Sequence, residues 1–246
     1  MDKFLKQFYT LWCAIVFIGL FLLLFPLFLV IIPFPKLHGL SFYLNRIWAQ
    51  VALVLVGIPT AIKGREQLQA GNQYVYCANH FSLLDILSFG FAPNAVIYVG
   101  KVSLAKVPLF GFMFRKIHVT VDRSSLKNRY DALQQAILKM GDKKSLVMFP
   151  EGGIYTKEVP NMTRFKDGAF RIAIEKQIPI VPVSLPDNWI ILPDEKIPLI
   201  SRKLMRMRFH QPIITEGLTT EDIPILKKKV HFIIQEELNK LTSAVI

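Results

Sequence analysis

His80 and Asp85 stand five residues apart in the segment Asn79-His80-Phe81-Ser82-Leu83-Leu84-Asp85, and together they could do acid–base chemistry. Residues 73–78 before them read as a short buried strand, and residues 82–89 read as a helix. The histidine then lies in a loop, where an imidazole can face a cleft. The aspartate lies in the first helical turn. From there its carboxylate can fold back, fix the tautomer of the ring and stabilise the imidazolium. An imidazole held this way can take a proton from an alcohol or from water. The spacing alone is also that of a helix-start carboxylate beside an unrelated loop histidine.

Two further groups of residues carry possible chemistry. Phe149-Pro150-Glu151-Gly152-Gly153 follows a predicted strand at 145–149. Adjacent glycines there let backbone N–H groups approach an anion, and Glu151 could orient a basic side chain or a substrate hydroxyl. A plain strand-ending turn has the same composition. Lys101 and Arg123 each end a predicted strand, the place where ligands bind in open α/β sheets. Arginine suits bidentate phosphate contact. A surface charge is the plainer reading of each.

The elements that must position these groups alternate. Strands are predicted at 73–78, 95–100, 116–121, 145–149, 178–185 and 203–214, and helices at 82–89, 128–140, 165–176 and 221–241. The class is therefore α/β, a mixed sheet flanked by helices. Arg202, Arg206, Arg208 and His210 recur with period two, which gives either a solvated edge-strand face or a basic face toward lipid.

Ahead of this unit the chain is apolar. No charged residue occurs in residues 7–35, long enough to cross a bilayer core of about 30 Å as a helix. The run exceeds a signal-peptide core, and no small-residue cleavage site follows it. A second apolar stretch, 40–62, is broken by Asn45 and Arg46, and a mid-bilayer arginine is costly. Pro26, Pro33 and Pro35 should bend or end the first helix. A membrane helical hairpin that dips into one leaflet or spans it is the expectation, with two ordinary spanning helices as the alternative. The net charge is +12, of which residues 1–62 hold +3 and the remainder +9. Such a surplus suits anionic lipid headgroups, phosphate esters or nucleic acid. A basic unit beside an anchor also places it on the cytoplasmic face. Cys13 and Cys77 read as small buried residues.

Taken together, these blocks resemble the glycerolipid acyltransferases, and most of all the 1-acyl-glycerol-3-phosphate (lysophosphatidate) acyltransferases. NHFSLLD resembles that family's H-x-x-x-x-D block. GKVSLAKVPLFGFMFRKIHVTVDRSS resembles the second block, FPEGG the third and IPIVPVSL the fourth, with FKDGAFRIA between the last two. The resemblance covers residues 70–190.

It implies that His80 is the general base on the acceptor hydroxyl and Asp85 its partner. Arg123, Glu151, Gly152 and Gly153 would help to bind a glycerol phosphate. Lys101 would lie near the acyl carbonyl or a phosphate. The co-substrate would be a fatty acyl thioester of coenzyme A or acyl carrier protein, with no metal and no covalent acyl-enzyme. Residues 1–62 would anchor the chain in a membrane, and residues 63–246 would form the acyltransferase catalytic domain. Phe81, Leu109, Phe110, Phe112 and Phe114 could line an acyl channel or pack in a core. One block departs from the family pattern. Gly153-Ile154-Tyr155 stands where Thr-Arg-Ser is usual, so Lys157 or Arg164 would replace the missing arginine, or the acceptor is another lyso-lipid or glycerol 3-phosphate.

Other classes fit less well. A serine hydrolase would need a Gly-x-Ser-x-Gly elbow, which the sequence lacks. A non-enzymatic membrane protein that binds anionic lipid would use the charge and leave the His-Asp pair idle. No nucleic-acid motif accompanies the charge.

Overall fold

The computed structural model describes residues 3–122 and 125–243, so Arg123 lies outside the described residues. The apolar run forms α1 (Lys3–Ile31), which continues through Pro26 and ends before Pro33. At 1.5 Å per residue it is about 43 Å long. Among the described residues it is the one helix long and apolar enough to cross a membrane. Much of its surface is bare hydrocarbon, with Leu23 73% exposed.

α2 (Leu40–Leu55) folds back on α1, and the Trp48 indole N–H donates to the Phe17 carbonyl at 2.9 Å. Its 16 residues span about 24 Å, too short to cross upright. Arg46 is turned toward the protein. Its Nη2 donates to the Ala92 carbonyl at 2.8 Å and its Nε to that of Gly90 at 3.3 Å. The charge that interrupts the second apolar stretch thus docks α2 onto the α/β unit.

That unit is a seven-stranded mixed sheet. Its strands are β1 (Thr60–Lys63), β2 (Val75–Ala78), β3 (Val96–Lys101), β4 (Val119–Val121), β5 (Ser145–Met148), β6 (Ile180–Ser184) and β7 (Met205–Phe209), in the order β1-β7-β6-β2-β5-β3-β4. Of the pairings between these strands only β6–β7 is antiparallel. β1 lies in the apolar stretch that was read as membrane segment, and the 62/63 division falls inside it.

Side-chain alternation splits the core. Val75, Cys77, Leu146 and Ile180 pack beneath α5 (Leu126–Met140), α6 (Gly168–Glu175) and α8 (Ile223–Ser243). Tyr76, Ala78, Val147 and Val181 face the other way, toward Phe42 of α2 and Phe89, which follows α3 (Leu84–Ser88). The short helix α7 (Asn188–Ile191) falls in a stretch with no predicted element, and α4 (Phe110–Ile117) takes Lys116 and Ile117 from the strand predicted at 116–121, which begins only at Val119.

The edge-strand expectation for the basic period-two residues is overturned. β7 lies between β1 and β6. Its Arg206 grips Asp187 through two contacts of 2.6 Å, and Arg208 pairs with Glu237 at 2.9 Å. Arg202 donates to the Gly57 carbonyl, and His210 bonds Ser184 at 2.8 Å. These side chains tie β7 and the residues on either side of it to their neighbours.

Candidate active site

β6, β2, β5, β3 and β4 run parallel, so the loops that follow them leave the sheet at one edge. Along that edge stand Asn188 after β6, His80 after β2, Glu151 after β5 and Lys101 at the end of β3. The Asn79 side chain clasps two of these loops. Its amide donates to the Leu185 carbonyl at 2.9 Å, and its oxygen accepts from the Leu185 N–H at 2.8 Å.

His80 and Asp85 are in contact. The Nδ1 of His80 lies 3.0 Å from Oδ2 of Asp85, which is fully buried. The same oxygen accepts the Phe81 and Ser82 backbone N–H groups at 2.8 and 2.9 Å. A carboxylate is an acceptor only, so Nδ1 carries the hydrogen and Nε2 is the nitrogen that remains to take a proton. The imidazole is stacked on Phe149 with ring centroids 4.0 Å apart, and 12% of its side chain reaches solvent. Carboxylate, backbone and aromatic face together hold the ring in one orientation.

A third buried side chain joins the pair. The Asn188 Nδ2 donates to Asp85 Oδ1 at 2.8 Å and to Ser88 Oγ at 2.9 Å, while its own Oδ1 has no partner among the described residues. An amide kept in a buried site at the expense of an unsatisfied oxygen is there for its donor. Pattern reading missed it because it lies 103 residues from Asp85. The only local hint is its position just past the predicted strand at 178–185.

The FPEGG turn is more closed than its glycines imply. Glu151 is 1% exposed, and Oε1 accepts the His80 backbone N–H at 2.8 Å. Its Oε2 accepts the N–H and hydroxyl of Thr163 at 2.9 and 3.1 Å. Burial pushes its carboxyl up from the usual range, against the downward pull of these donors. Both oxygens are used inside the protein, so Glu151 braces the His80 loop. The Gly152 N–H, expected to face an anion, closes the turn onto the Phe149 carbonyl at 3.0 Å. Gly152 has φ +82°, and a β-carbon there would collide with the Lys166 ammonium. A β-carbon at Gly153 would come within 3.0 Å of the Tyr155 ring.

The departure from the usual block therefore has a physical form. The Tyr155 ring fills the space that a side chain at 153 would need, and the cation over the turn is Lys166. Lys157 and Arg164 are exposed, and Lys101 is exposed at the end of β3. Phe81 and Phe114 belong to the core, whereas Leu109 and Phe112 point outward.

Beside the helix that carries Asp85 lies a cavity of about 260 Å³. Cys13, Ala14 and Phe17 of α1, Ala52 and Leu53 of α2, and Leu84 of α3 contribute to its lining, which is apolar.

Comparison with known proteins agrees with this architecture. A model of the acyltransferase family matches residues 60–186, just over half of the chain, and the chain belongs to that family. It is 35% identical over 201 residues to the 1-acyl-sn-glycerol-3-phosphate acyltransferase of Saccharomyces cerevisiae, covering 80% of this chain and 65% of that one. A protein of the same name from Chlamydomonas reinhardtii is 30% identical, with 72% and 55% covered. The chain thus spans 55–65% of the length of these relatives. The crystal structure of the 1-acyl-sn-glycerophosphate acyltransferase from Thermotoga maritima shares the fold, with a TM-score of 0.78 at 20% identity over 96% of this chain and 98% of that one.

Proposed function

We propose that this protein transfers a fatty acyl chain from a thioester of coenzyme A or acyl carrier protein to the free hydroxyl of lysophosphatidate, giving phosphatidate. The observation that carries this reading is the buried Asp85 carboxylate gripping His80 Nδ1 and orienting Nε2 in a chain of the acyltransferase family. In the reaction Nε2 takes the proton of the acceptor hydroxyl as its oxygen attacks the thioester carbonyl. Asp85 stabilises the imidazolium that forms. The attack gives a tetrahedral oxyanion adduct. Collapse breaks the C–S bond, and the departing thiolate takes the proton back from the imidazolium.

Lys166 over the Gly152 turn supplies a cation for the acceptor phosphate, with Lys101 at the end of β3; Arg123 keeps the phosphate-binding role that the family resemblance implies. The apolar cavity takes an acyl chain. α1 and α2 hold the site against a membrane on its cytoplasmic face, so the acceptor need not leave the bilayer. The +9 charge of residues 63–246 suits an anionic thioester carrier.

The test is an acceptor panel. Purified protein receives one radiolabelled acyl thioester with lysophosphatidate, glycerol 3-phosphate or other lyso-lipids. Preferred acylation of lysophosphatidate is expected. Acylation of none, with hydrolysis of the thioester instead, would reject the reading. The second reading, another lyso-lipid as acceptor, is favoured by the Gly153-Ile154-Tyr155 replacement, and the same panel separates the two.

A further inference from the structure

α4 and the turn before it leave an apolar edge in the open. Val107, Leu109 and Phe112 are 47%, 45% and 39% exposed, within six residues of one another. The turn is a γ-turn centred on Leu109, whose φ is +59° and ψ −56°, and the Phe110 N–H donates to the Pro108 carbonyl at 2.6 Å. This form of γ-turn is rare and strained, and a leucine without glycine's freedom holds it while its side chain faces outward. Strain that keeps a leucine in water gains nothing; strain that aims it at an apolar phase does.

The surroundings identify that phase. Lys101, Lys106, Arg115 and Lys116 flank the edge and are exposed, and no acidic residue occurs in residues 86–121. An apolar tip with a basic collar complements an anionic lipid surface, where hydrocarbon enters the headgroup boundary and the cations meet phosphate. The edge is also continuous with α1. Met113 and Ile117 of α4 pack with Phe21 and Phe28 of α1, and the Phe21 and Phe110 rings lie 6.0 Å apart. A bilayer that surrounds α1 therefore meets this turn next.

We propose that residues 107–112 are a second, peripheral membrane contact, inserting into an anionic leaflet apart from the α1–α2 hairpin. The inference rests on the reading of α1 as a membrane helix.

The test uses the full chain in vesicles of neutral phospholipid, with or without anionic phospholipid. A polarity-sensitive fluorophore is attached at Leu109→Cys, Phe112→Cys, Phe8→Cys on α1 or Leu138→Cys on the exposed face of α5. The unsubstituted chain gives the background from Cys13 and Cys77. Spin-labelled lipid is the quencher. Labels at 109 and 112 are expected to shift to the blue and lose emission to the quencher, more so with anionic lipid. The label at 138 is expected to stay wet, and K106E/K116E to remove the gain from anionic lipid. If position 8 is quenched while 109 and 112 match 138, the second contact is refuted and the α1 reading stands. Quenching at 109 and 112 without quenching at 8 would refute the α1 reading and, with it, the proposal of a second contact beside a membrane helix. If none is quenched, both fail. Labels that become shielded only as protein concentration rises would make the edge a contact between copies and also overturn the proposal.

Discussion

At residue 80 the expected effects are sharp. His80→Ala should leave the protein folded and lower acyl transfer by about 10²–10⁴, the usual worth of a positioned general base. Initial rates beside a far-ultraviolet spectrum check this, and full retained activity would reject the base. Asn188 acts through Asp85 and is a positioning residue. Asn188→Ala should lower kcat and leave the acceptor KM in place. Asn188→Asp sets a second carboxyl against Asp85 Oδ1; two buried carboxyls so close share one proton, so the new group can still donate to Asp85 and should recover part of the loss in kcat. A merely structural role would lower stability without lowering kcat. Lys166→Met should raise the acceptor KM more than the donor KM, with Lys166→Arg recovering part of the loss. Equal effects on both constants would remove Lys166 from the phosphate. His80 and Asp85 were legible in the sequence because both belong to one loop and its helix. Asn188 and Lys166 were not, because their contacts cross strands and the local spacing pointed to Lys157 and Arg164 for the cation.

Among the elements, the apolar cavity between the hairpin and α3 gives the clearest expectation. Ala14 lines it from an exposed position on α1, so Ala14→Phe should narrow it with little strain on the core. Competition between long- and short-chain thioesters should then shift toward the short chain; an unchanged ratio would place the acyl chain elsewhere. Short apolar runs located β2, β5 and β6, which are buried on both faces, and the period-3.6 pattern located α5, which buries one. They missed β1, whose first three residues continue the apolar run of α2, and α4, whose Phe110, Met113, Phe114 and Ile117 blend into the apolar text around them. The edge expectation for β7 failed because strand order depends on which crossovers the packed helices allow, and no local pattern carries that.

For the molecule as a whole, two buried histidines contribute to the response to acid. Burial, with Lys139 and Lys144 nearby, lowers His118 to about 3 from its ordinary 6.5. Burial likewise lowers His210 to about 4. Below pH 6.5 the unfolded chain binds protons that the native chain refuses, so stability is complete above that pH and is lost as pH falls toward these values. His118 alone contributes a slope of about 1.4 kcal/mol per pH unit in that window. Denaturant midpoints in detergent from pH 8 to 4 should show the fall, and His118→Phe, which keeps the ring between Tyr98 and Phe114, should flatten it. Removing residues 1–62 tests whether the hairpin is separable. That cut takes three residues of β1, uncovers Met113 and Ile117 and strips Phe42 from the sheet, so the remainder is expected to lose cooperative unfolding as well as its membrane.

The Asn79 clasp on Leu185 has a consequence in time. It lies fully buried between the two central strands and fastens the loop of His80 to the loop of Asn188. The histidine loop cannot swing open like a lid unless β2 and β6 part, and parting them breaches the middle of the sheet. The backbone amides of Phe81, Ser82 and Leu185 should therefore exchange with deuterium as slowly as the core strands, at the rate set by opening of the whole unit. The catalytic edge is then as durable as the protein, and substrates must come to a site that is already assembled.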